Sequence, residues 1–287
     1  IIIDCNGLCH REYHSLRNIG LNYSGLKTDI IFGFFRELKY FVKTMHCNKF
    51  IFAWDSVRNF RINKYPEYKL KRRTQKEEKS DEEKELERII FDQFDELRID
   101  ILPFLGFQNI FIQTGMEADD IIASVVMNNY EDYNLTVVSG DEDLLQLLDY
   151  CKIYRPIKKE YVSRETFINK YGIEPIDWVK VKAIAGCVSD EVKGIDGVGE
   201  KTAIRYLLGE LPNTHKTYQK IISQEGQEIY NRNLPIVKLP FEGTHRFIIA
   251  NDRLNIYSFR KVFEKYGFFS FLKDEDFNFW CKSFQLL

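Results

Sequence analysis

Three carboxylates, Glu117, Asp119 and Asp120, lie within four residues at the point where an apolar, helix-like segment begins. Anions this close repel one another, so each is favoured by protonation or by a counter-charge. A helix N-terminus stabilises an exposed charge by less than about 1 kcal/mol, whereas a divalent cation compensates several carboxylates at once. The segment alone is equally consistent with a charged first helical turn, capped by Thr114 or Gly115, and with a metal site.

Other acidic residues follow short apolar segments that have the composition of buried strands. These segments alternate with helical patterns at 28–45, 86–105 and 144–148, which predicts an α/β fold with a mainly parallel central sheet flanked by helices. In such sheets, ligands bind beyond the carboxyl ends of the strands. The predicted strands are Ile1–Asp4, Phe50–Trp54, Gln108–Ile112, Leu135–Ser139 and Cys151–Arg155, and the acids at or after their ends are Asp4, Asp55, Glu117, Asp119, Asp120, Asp141 and Asp143.

Any one of these acids is explained as a helix cap. Several strand ends that deliver acids to one edge of a sheet would destabilise the fold unless a cation bound there. Oxygen ligands select Mg²⁺ or Mn²⁺ over zinc. A site with this many carboxylates has room for two ions about 4 Å apart, the arrangement of enzymes that cleave phosphodiesters. We therefore expect metal-assisted phosphoryl chemistry.

The segment between the second and third predicted strands is strongly charged in two halves. Residues 57–79 hold nine Lys and Arg against three Glu, and residues 80–100 hold nine acids against three cations. The basic half also carries Phe60, Tyr65 and Tyr68, whose rings are of the kind on which bases stack. A solvated loop followed by a surface helix is the plain alternative for such a charge run. Its place beside the acidic edge favours an arm that grips a nucleic-acid strand.

A second candidate nucleic-acid element is the glycine-rich segment Gly194–Ala203, which leads into a predicted helix at 204–208. Gly197 and Gly199 permit a tight hairpin that exposes backbone N–H groups ahead of a helix, where phosphate binds. A plain turn is the default for one glycine pair, but flanking donors favour phosphate binding, and the turn resembles that of a helix-hairpin-helix element. The flanking donors are Lys193, Lys201 and Thr202.

The bulk composition narrows the function classes. The 287 residues carry a net charge of −2, so a nucleic-acid partner would bind to a local basic patch. No apolar run approaches the roughly 18 residues of a membrane span, and the six cysteines, without CxxC pairs, suit a reduced cytoplasmic protein. The C-x3-C-H-x3-H spacing from Cys5 to His14 is not expected to bind zinc. Because the chain does not begin with Met, we expect residues before Ile1.

The ordered set of motifs resembles the 5′ nuclease (flap endonuclease) family, which includes bacteriophage members and the 5′–3′ exonuclease domain of bacterial DNA polymerase I. The likeness extends over nearly the whole chain, and several motifs in the right order make it specific. The motifs are Ile3-Asp4-Cys5-Asn6-Gly7 with Arg11, Trp54-Asp55, Tyr65-Pro66-Glu67-Tyr68-Lys69, Glu117-Ala118-Asp119-Asp120, Gly140-Asp141-Glu142-Asp143 and Gly194–Ala203.

The resemblance implies a single 5′ nuclease domain over 1–287, with a helical arch at 57–100, a helix-hairpin-helix region at 175–240 and a C-terminal helical segment at 241–287. Within the last two regions, the sequence pattern predicts a short strand at 231–240 and one amphipathic helix over Ser258–Phe271, with aromatic residues that pack in a core. The resemblance also implies that the glycine hairpin holds the downstream duplex and that its carbonyls ligate K⁺.

The resemblance assigns a role to each matching side chain. The first metal ion would be served by Asp4, Asp55, Glu117, Asp119, Asp120 and Asp141, and the second by Asp143 and Asp190. Asp119 and Asp141 would be catalytic, with Lys69 and Arg72 beside the scissile phosphate. Tyr68 would stack on the terminal base, and DNA would further contact Arg11, Arg73, Lys193, Gly197, Gly199, Lys201 and Thr202.

One position departs from the family pattern Gly-Asp-x-x-Asp-Asn, because this chain reads Gly186-Cys187-Val188-Ser189-Asp190-Glu191. Cys187 stands in place of a metal-site aspartate, and a neutral thiol is a poor ligand for Mg²⁺. We therefore expect a complete first site and a weakened second site, with looser occupancy or a stronger preference for Mn²⁺.

These observations predict a monomeric, divalent-metal-dependent 5′ nuclease of replication or repair, in the cytoplasm (the host cytoplasm for a viral protein). Its substrates would be DNA with a 5′ flap, a nick or a free 5′ end, and the resemblance extends them to RNA–DNA hybrids in primer removal. One alternative is a DNA-binding homologue with weakened or lost catalysis because of Cys187. A haloacid-dehalogenase-like phosphatase is disfavoured, because Asn6 stands where that chemistry needs a second Asp.

Overall fold

The computed structural model describes residues 1–286. Its strands are β1 (Ile2–Asp4), β2 (Asn22–Tyr23), β3 (Leu26–Lys27), β4 (Ile51–Ala53), β5 (Ile110–Phe111), β6 (Thr136–Val138), β7 (Lys152–Arg155), β8 (Glu160–Val162), β9 (Gly186–Cys187) and β10 (Val192–Lys193). Its α-helices are α1 (Cys5–Leu16), α2 (Asp29–Met45), α3 (Arg61–Lys64), α4 (Leu70–Glu77), α5 (Asp81–Asp95), α6 (Leu102–Leu105), α7 (Ala118–Asn129), α8 (Arg164–Tyr171), α9 (Trp178–Ala185), α10 (Glu200–Leu207), α11 (Lys216–Ile222), α12 (Gln224–Val237), α13 (Ile256–Lys265), α14 (Phe269–Leu272) and α15 (Asp274–Phe284). Glu96–Ile101 forms a π-helix, and Asp143–Leu147 and Pro175–Asp177 form 3₁₀-helices.

The chain divides into two compact units. The first comprises Ile1–Trp54, Lys79–Phe111 and a segment that begins at Ile248, and the second comprises Asp55–Glu78 and Ile112–Phe247. The basic helix α4 belongs to the second unit and the acidic helix α5 to the first.

The first unit is built on parallel strands with an aromatic core. β4 pairs in parallel with β1 on one side and with β5 on the other. Helix α2 buries one apolar face. The centroid of its Phe35 ring lies 5.4 Å from that of Phe263 and 6.1 Å from that of Trp280. The expectation that the aromatic residues of the C-terminal segment pack in a core is confirmed for Phe259, Phe263, Tyr266 and Phe268, whereas Phe269 is exposed.

The second unit positions the candidate site. β6 pairs in parallel with β7, and β7 pairs with the antiparallel β8. Helices α9 and α12 pack together and bury Val179, Ala183, Ile236 and Val237 in one apolar cluster. The prediction of an α/β fold with mainly parallel strands flanked by helices is confirmed.

Two local predictions were wrong, and a third was confirmed only in part. Residues 231–240 do not form a strand, because Ser223 caps helix α12, which continues to Val237 despite its internal Pro235. The single helix predicted over Ser258–Phe271 is two helices, α13 and α14, separated at Gly267, whose φ of +69° is left-handed. The helix predicted at 144–148 is a 3₁₀-helix that begins at Asp143.

No helix within residues 1–286 has both the length and the apolar character needed to cross a membrane.

Candidate metal centre and nucleic-acid interface

A tight turn after β6 holds two carboxylates in place. The Ser139 hydroxyl accepts a hydrogen bond from the backbone N–H of Asp141 at 3.1 Å. The Asp141 carboxylate in turn accepts one from the backbone N–H of Asp143 at 2.7 Å. Such side-chain-to-backbone bonds fix the turn that opens the 3₁₀-helix. As the sequence predicts, the carboxyl end of this strand delivers Asp141 and Asp143 to the protein surface.

The β9–β10 hairpin brings the side chains of Cys187 and Asp190 close to Asp143. Residues 188–191 turn between the paired strands, so that Cys187 and Asp190 lie side by side. One ligand atom from each of Asp143, Cys187 and Asp190 lies within 4.8 Å of the other two. Within this cluster, the Cys187 Sγ is 3.7 Å from Asp143 Oδ2. We call these three residues the Asp–Cys–Asp cluster.

The N-terminus of α7 adds more carboxylates. Glu117 caps this helix and, with Asp119, lines a small cleft that Asp143 and Asp190 also line. The Asp55 carboxylate accepts a hydrogen bond from the backbone N–H of Ala118 at 2.7 Å. The structure therefore brings together Glu117, Asp119, Asp143 and Asp190, which are widely separated in the sequence.

Two lysines act as internal counter-charges. The Lys69 ammonium donates a short hydrogen bond to Glu117 and lies 3.4 Å from Asp190 Oδ1. The buried Lys182 ammonium lies 3.3 Å from Asp143 Oδ1 and 2.9 Å from Glu200 Oε1. These carboxylates raise the pKa of both lysines against the effect of burial, so both ammonium groups stay charged.

Proton affinities vary across the cleft. Burial alone would raise the pKa of Glu117, but Lys69 and Arg61 lower it. Asp143 has a pKa raised to about 6, first by burial and then by the neighbouring Asp141 carboxylate. Burial, followed by the Asp143 charge, raises the pKa of the Cys187 thiol to about 12. Lys182 lowers the pKa of Asp143, but burial and the neighbouring carboxylates outweigh its effect.

The carboxylate oxygens of the cleft suit a divalent cation. The thiol of Cys187, in contrast, does not suit Mg²⁺. The raised pKa values of Asp141 and Asp143 mark crowded carboxylates of the kind that a hard cation stabilises. Cys187 supplies sulfur in the same cluster, and sulfur is a ligand for softer ions.

Asp120, which the resemblance assigned to the first metal ion, is surrounded by protein donors in this structure. Its Oδ2 accepts hydrogen bonds from Arg61 at 2.6 Å and from the backbone N–H of Glu117 at 3.1 Å. Its Oδ1 accepts from Arg61 at 2.7 Å and from the backbone N–H of Phe241 at 2.8 Å. Four N–H donors of the protein thus surround this buried carboxylate, which holds Arg61 and the start of α7 in place. Its predicted contact with a metal ion stays a prediction.

Two predicted site residues lie in the first unit. Asp4 caps helix α1, where its carboxylate accepts from the backbone N–H of Gly7 at 2.9 Å. The Arg11 guanidinium contacts Glu37 at 2.5 Å and Glu12 at 3.2 Å. Their predicted contacts with metal and phosphate stay predictions.

The residues predicted to form the arch differ in exposure. The Tyr68 ring is only 3% exposed, and its hydroxyl donates to Glu117 at 2.7 Å, so the ring is not displayed for stacking on a base. Arg72 is exposed on α4, and Arg73 donates to the carbonyl of Pro66. In this structure Tyr68 therefore lines the acidic cleft, whereas Arg72 is exposed. Their predicted contacts with DNA, and that of Arg73, stay predictions.

The glycine segment forms a turn that leads directly into α10. Gly197 has a φ of +75°, and Gly199 is the N-cap of the helix. Lys201 and Thr202 follow in its first turn, and the Lys193 side chain is 78% exposed on β10. The start of a helix and two lysines therefore lie on or beside one segment. Its predicted binding of phosphate stays a prediction.

We expect Gly194→Ala to destabilise the protein and Gly199→Ala to be tolerated. A Cβ at Gly194 would lie 2.1 Å from the backbone of Ala185, whereas one at Gly199 would meet no atom within 4 Å. Overpacking against backbone costs about 1–3 kcal/mol. Urea unfolding of both variants measures the difference, and equal free energies of unfolding would contradict this account.

Arg61 and Lys182 contact the carboxylates of the site but are not among the residues predicted from the sequence. Arg61 belongs to the basic run for which the sequence predicts a nucleic-acid-gripping arm, yet it is 2% exposed. Lys182 stands in the otherwise apolar end of α9, four residues after Trp178, and its ammonium lies 5.4 Å from that ring. A single lysine on a buried helical face is the signal that could have identified it, since such a charge requires a partner.

Comparison with known protein families and curated sequences gives a consistent result. The family model for the 5′-3′ exonuclease, N-terminal resolvase-like domain, matches residues 1–172. The chain is similar to the 5′-3′ exonuclease of Bacillus subtilis, with 30% identity over 216 residues that cover 72% of this chain and 69% of the relative. It is also similar to DNA polymerase I of Mycobacterium tuberculosis, with 31% identity over 215 residues, and this match spans 22% of the polymerase.

A solved structure supports the fold. A bacteriophage T5 flap endonuclease, described as a pseudo-enzyme-product complex with DNA and metal ions, superposes with a TM-score of 0.67. The match covers 83% of this chain and 88% of that one at 22% identity.

Proposed function

Because this chain belongs to the family of 5′-3′ exonucleases with an N-terminal resolvase-like domain, we propose that it is a divalent-metal-dependent 5′ nuclease that hydrolyses phosphodiesters in branched or nicked DNA. One observation carries the proposal. Glu117, Asp119, Asp143 and Asp190 line one cleft, and such a set of oxygen donors serves metal-assisted phosphoryl transfer.

The carboxylates of this cleft would hold Mg²⁺ or Mn²⁺, with Asp141 on the adjoining turn. When bound, such an ion supplies an activated water and offsets charge on the scissile phosphate. The first set of ligands, Asp55, Glu117, Asp119 and Asp141, is proposed to bind its ion firmly. The second, which includes the Asp–Cys–Asp cluster, is proposed to bind Mg²⁺ weakly because of the thiol.

The protein's own cations would orient the phosphate. The Lys69 ammonium lies between Glu117 and Asp190, so a phosphate that enters the cleft meets a fixed positive charge beside the metal ligands. Arg72 is exposed on the next helix and would neutralise charge that develops during cleavage.

The glycine segment would hold the duplex away from the cleft. Backbone N–H groups at the start of α10, with Lys193, Lys201 and Thr202, suit non-specific phosphate contacts. The bacteriophage T5 structure, described as a complex with DNA and metal ions, supports a DNA substrate. We propose that the hairpin acts as a helix-hairpin-helix element, with K⁺ at its carbonyls, and that the protein works as a monomer. RNA–DNA hybrids are proposed as a further substrate class.

The proposal is tested with labelled 5′-flap and nicked duplexes. Cleavage is expected with Mg²⁺ or Mn²⁺, none with EDTA, and none for Asp119→Ala. Tight binding of the flap with no cleavage at any metal concentration would overturn the nuclease proposal in favour of a DNA-binding homologue that lacks turnover.

Arg72→Ala is expected to reduce kcat/KM on a 5′ flap at least about tenfold, because it removes a cation that we propose to neutralise charge on the phosphate. Since Arg72 is exposed, the free energy of unfolding should change by less than about 0.5 kcal/mol. Lys152→Ala is the matched control, because Lys152 is exposed at the opening residue of β7. Equal cleavage rates for the two variants would remove Arg72 from the mechanism.

A further inference from the structure

The Asp–Cys–Asp cluster differs from an all-oxygen site in its sulfur ligand. We propose that Asp143, Cys187 and Asp190 form a metal site that prefers borderline or soft divalent ions, such as Co²⁺, Zn²⁺ and Cd²⁺, over Mg²⁺. This inference rests on the proposed function only in taking the cluster as part of the metal centre. It assigns a metal class to the site from the residues that this chain carries there.

The separation of two ligand atoms in the cluster suits a small tetrahedral ion. Bonds of about 2.3 Å to sulfur and about 2.0 Å to oxygen, at a tetrahedral angle, separate the two ligand atoms by about 3.5 Å. The Cys187 Sγ and Asp143 Oδ2 are 3.7 Å apart. Lys182 lies 3.3 Å from the other oxygen, Oδ1, so the oxygen that faces the sulfur is the one available to an ion.

The neighbouring groups suit a bound thiolate. On binding, the Sγ–H bond breaks and its proton passes to solvent, while the sulfur forms a bond to the ion and one water leaves the ion. The Ser189 hydroxyl lies 3.0 Å from Cys187 Sγ, where it can donate to the thiolate as an outer-shell partner. The short β9–β10 hairpin fixes Cys187 and Asp190 on the same turn. No change of backbone pairing is therefore needed to form the site.

Chemical preference then decides the ion. Thiolate ligands select zinc-like ions, whereas Mg²⁺ requires oxygen ligands in near-octahedral geometry. Two carboxylates and one thiolate would supply three protein ligands, and water would complete the shell.

The test is Co²⁺ titration of the full chain, without DNA and with a phosphine reductant. Thiolate ligation gives a sulfur-to-cobalt charge-transfer band in the near ultraviolet. We expect this band in the wild type, its loss in Cys187→Ser and its retention in Cys47→Ser, which removes a thiol outside the cluster. Excess Mg²⁺ should fail to displace the band in the wild type. In calorimetry, Cys187→Asp should lower the preference for Co²⁺ over Mg²⁺ at least about tenfold.

Several results would overturn the inference. These are no band in the wild type, an unchanged band in Cys187→Ser, and equal Co²⁺ preference in the wild type and Cys187→Asp. The absence of a band in the wild type needs no variant, so the test remains even if a variant fails to fold. Circular dichroism checks the folding of each variant. A band without flap cleavage at any metal concentration would overturn the proposed function and support this inference. Cleavage with Mg²⁺ and no band would support the proposed function and overturn this inference.

Discussion

Arg61→Met is expected to destabilise the protein by about 3–5 kcal/mol, because it leaves the Asp120 carboxylate buried without its counter-charge. The Asp120 side chain is 0% exposed and that of Arg61 is 3% exposed. Arg61 binds both carboxylate oxygens and also donates to the carbonyl of Ile236 at 2.9 Å. Met retains the length and apolar character of the stem, so the loss reports mainly the charge and its hydrogen bonds.

Urea unfolding, with Lys64→Met as the control, measures this effect. Lys64 pairs with Glu242 at 2.5 Å, but their side chains are 46% and 81% exposed, so its loss should cost at most about 1 kcal/mol. The double variant Arg61→Met, Asp120→Leu should be more stable than Arg61→Met alone, because no unpaired charge remains. If both single variants cost the same, or the double variant recovers nothing, the unpaired charge is not the cause.

The backbone of the site was predictable from the sequence because strand ends in a parallel α/β fold converge. Short apolar segments located β1, β4, β6 and β7, and the acids after β6 lie on the turn predicted for them. The prediction that Asp119, Asp143 and Asp190 share a site needed the family motifs as well, because Asp190 follows a helix and a two-residue strand. No pattern of apolar residues marks a strand as short as β9.

The pairing of charges was not predictable. The sequence shows a basic run and an acidic trio, but nothing in their spacing selects Arg61 as the partner of Asp120, 59 residues away. Burial decides this pairing, because a carboxylate at 0% exposure requires donors on every side. The same reason explains Tyr68. Its ring looked suited to base stacking, but the packed cluster with Val179, Ile236 and Val237 encloses it.

Asp143→Asn is expected to raise stability and abolish activity. In metal-free buffer at neutral pH, the variant should be more stable than the wild type by about 1–3 kcal/mol, since each pKa unit corresponds to about 1.4 kcal/mol. The physical reason is that burial and the Asp141 carboxylate raise the pKa of Asp143 to about 6 from its ordinary 3.8. The charged form is therefore less favourable in the folded chain than in the unfolded one.

The stability difference between Asp143→Asn and the wild type should depend on pH in a defined direction. Between about pH 4 and pH 6, the folded wild type holds a proton on Asp143 that the unfolded chain has lost, so its stability falls as the pH rises. The advantage of Asn over Asp should therefore be absent near pH 4 and complete above about pH 6 to 7. Urea unfolding at several pH values in EDTA measures it. An advantage that is constant with pH would show that the charge is not responsible.

The same substitution should reduce flap cleavage at least about 100-fold, because it removes a carboxylate proposed to ligate the metal. Added Mn²⁺ should stabilise the wild type, by about 2.7 kcal/mol at a hundred times its dissociation constant, and should have a much smaller effect on Asp143→Asn. The matched control is Asp149→Asn, which removes a carboxylate paired with Arg164 at 3.0 Å outside the cluster. It should lower stability slightly and leave cleavage unchanged. If Asp143→Asn kept both its activity and its metal-dependent stabilisation, this carboxylate would not bind the ion. The stability and activity predictions are linked, because the repulsion that destabilises the metal-free site is the property that attracts a cation.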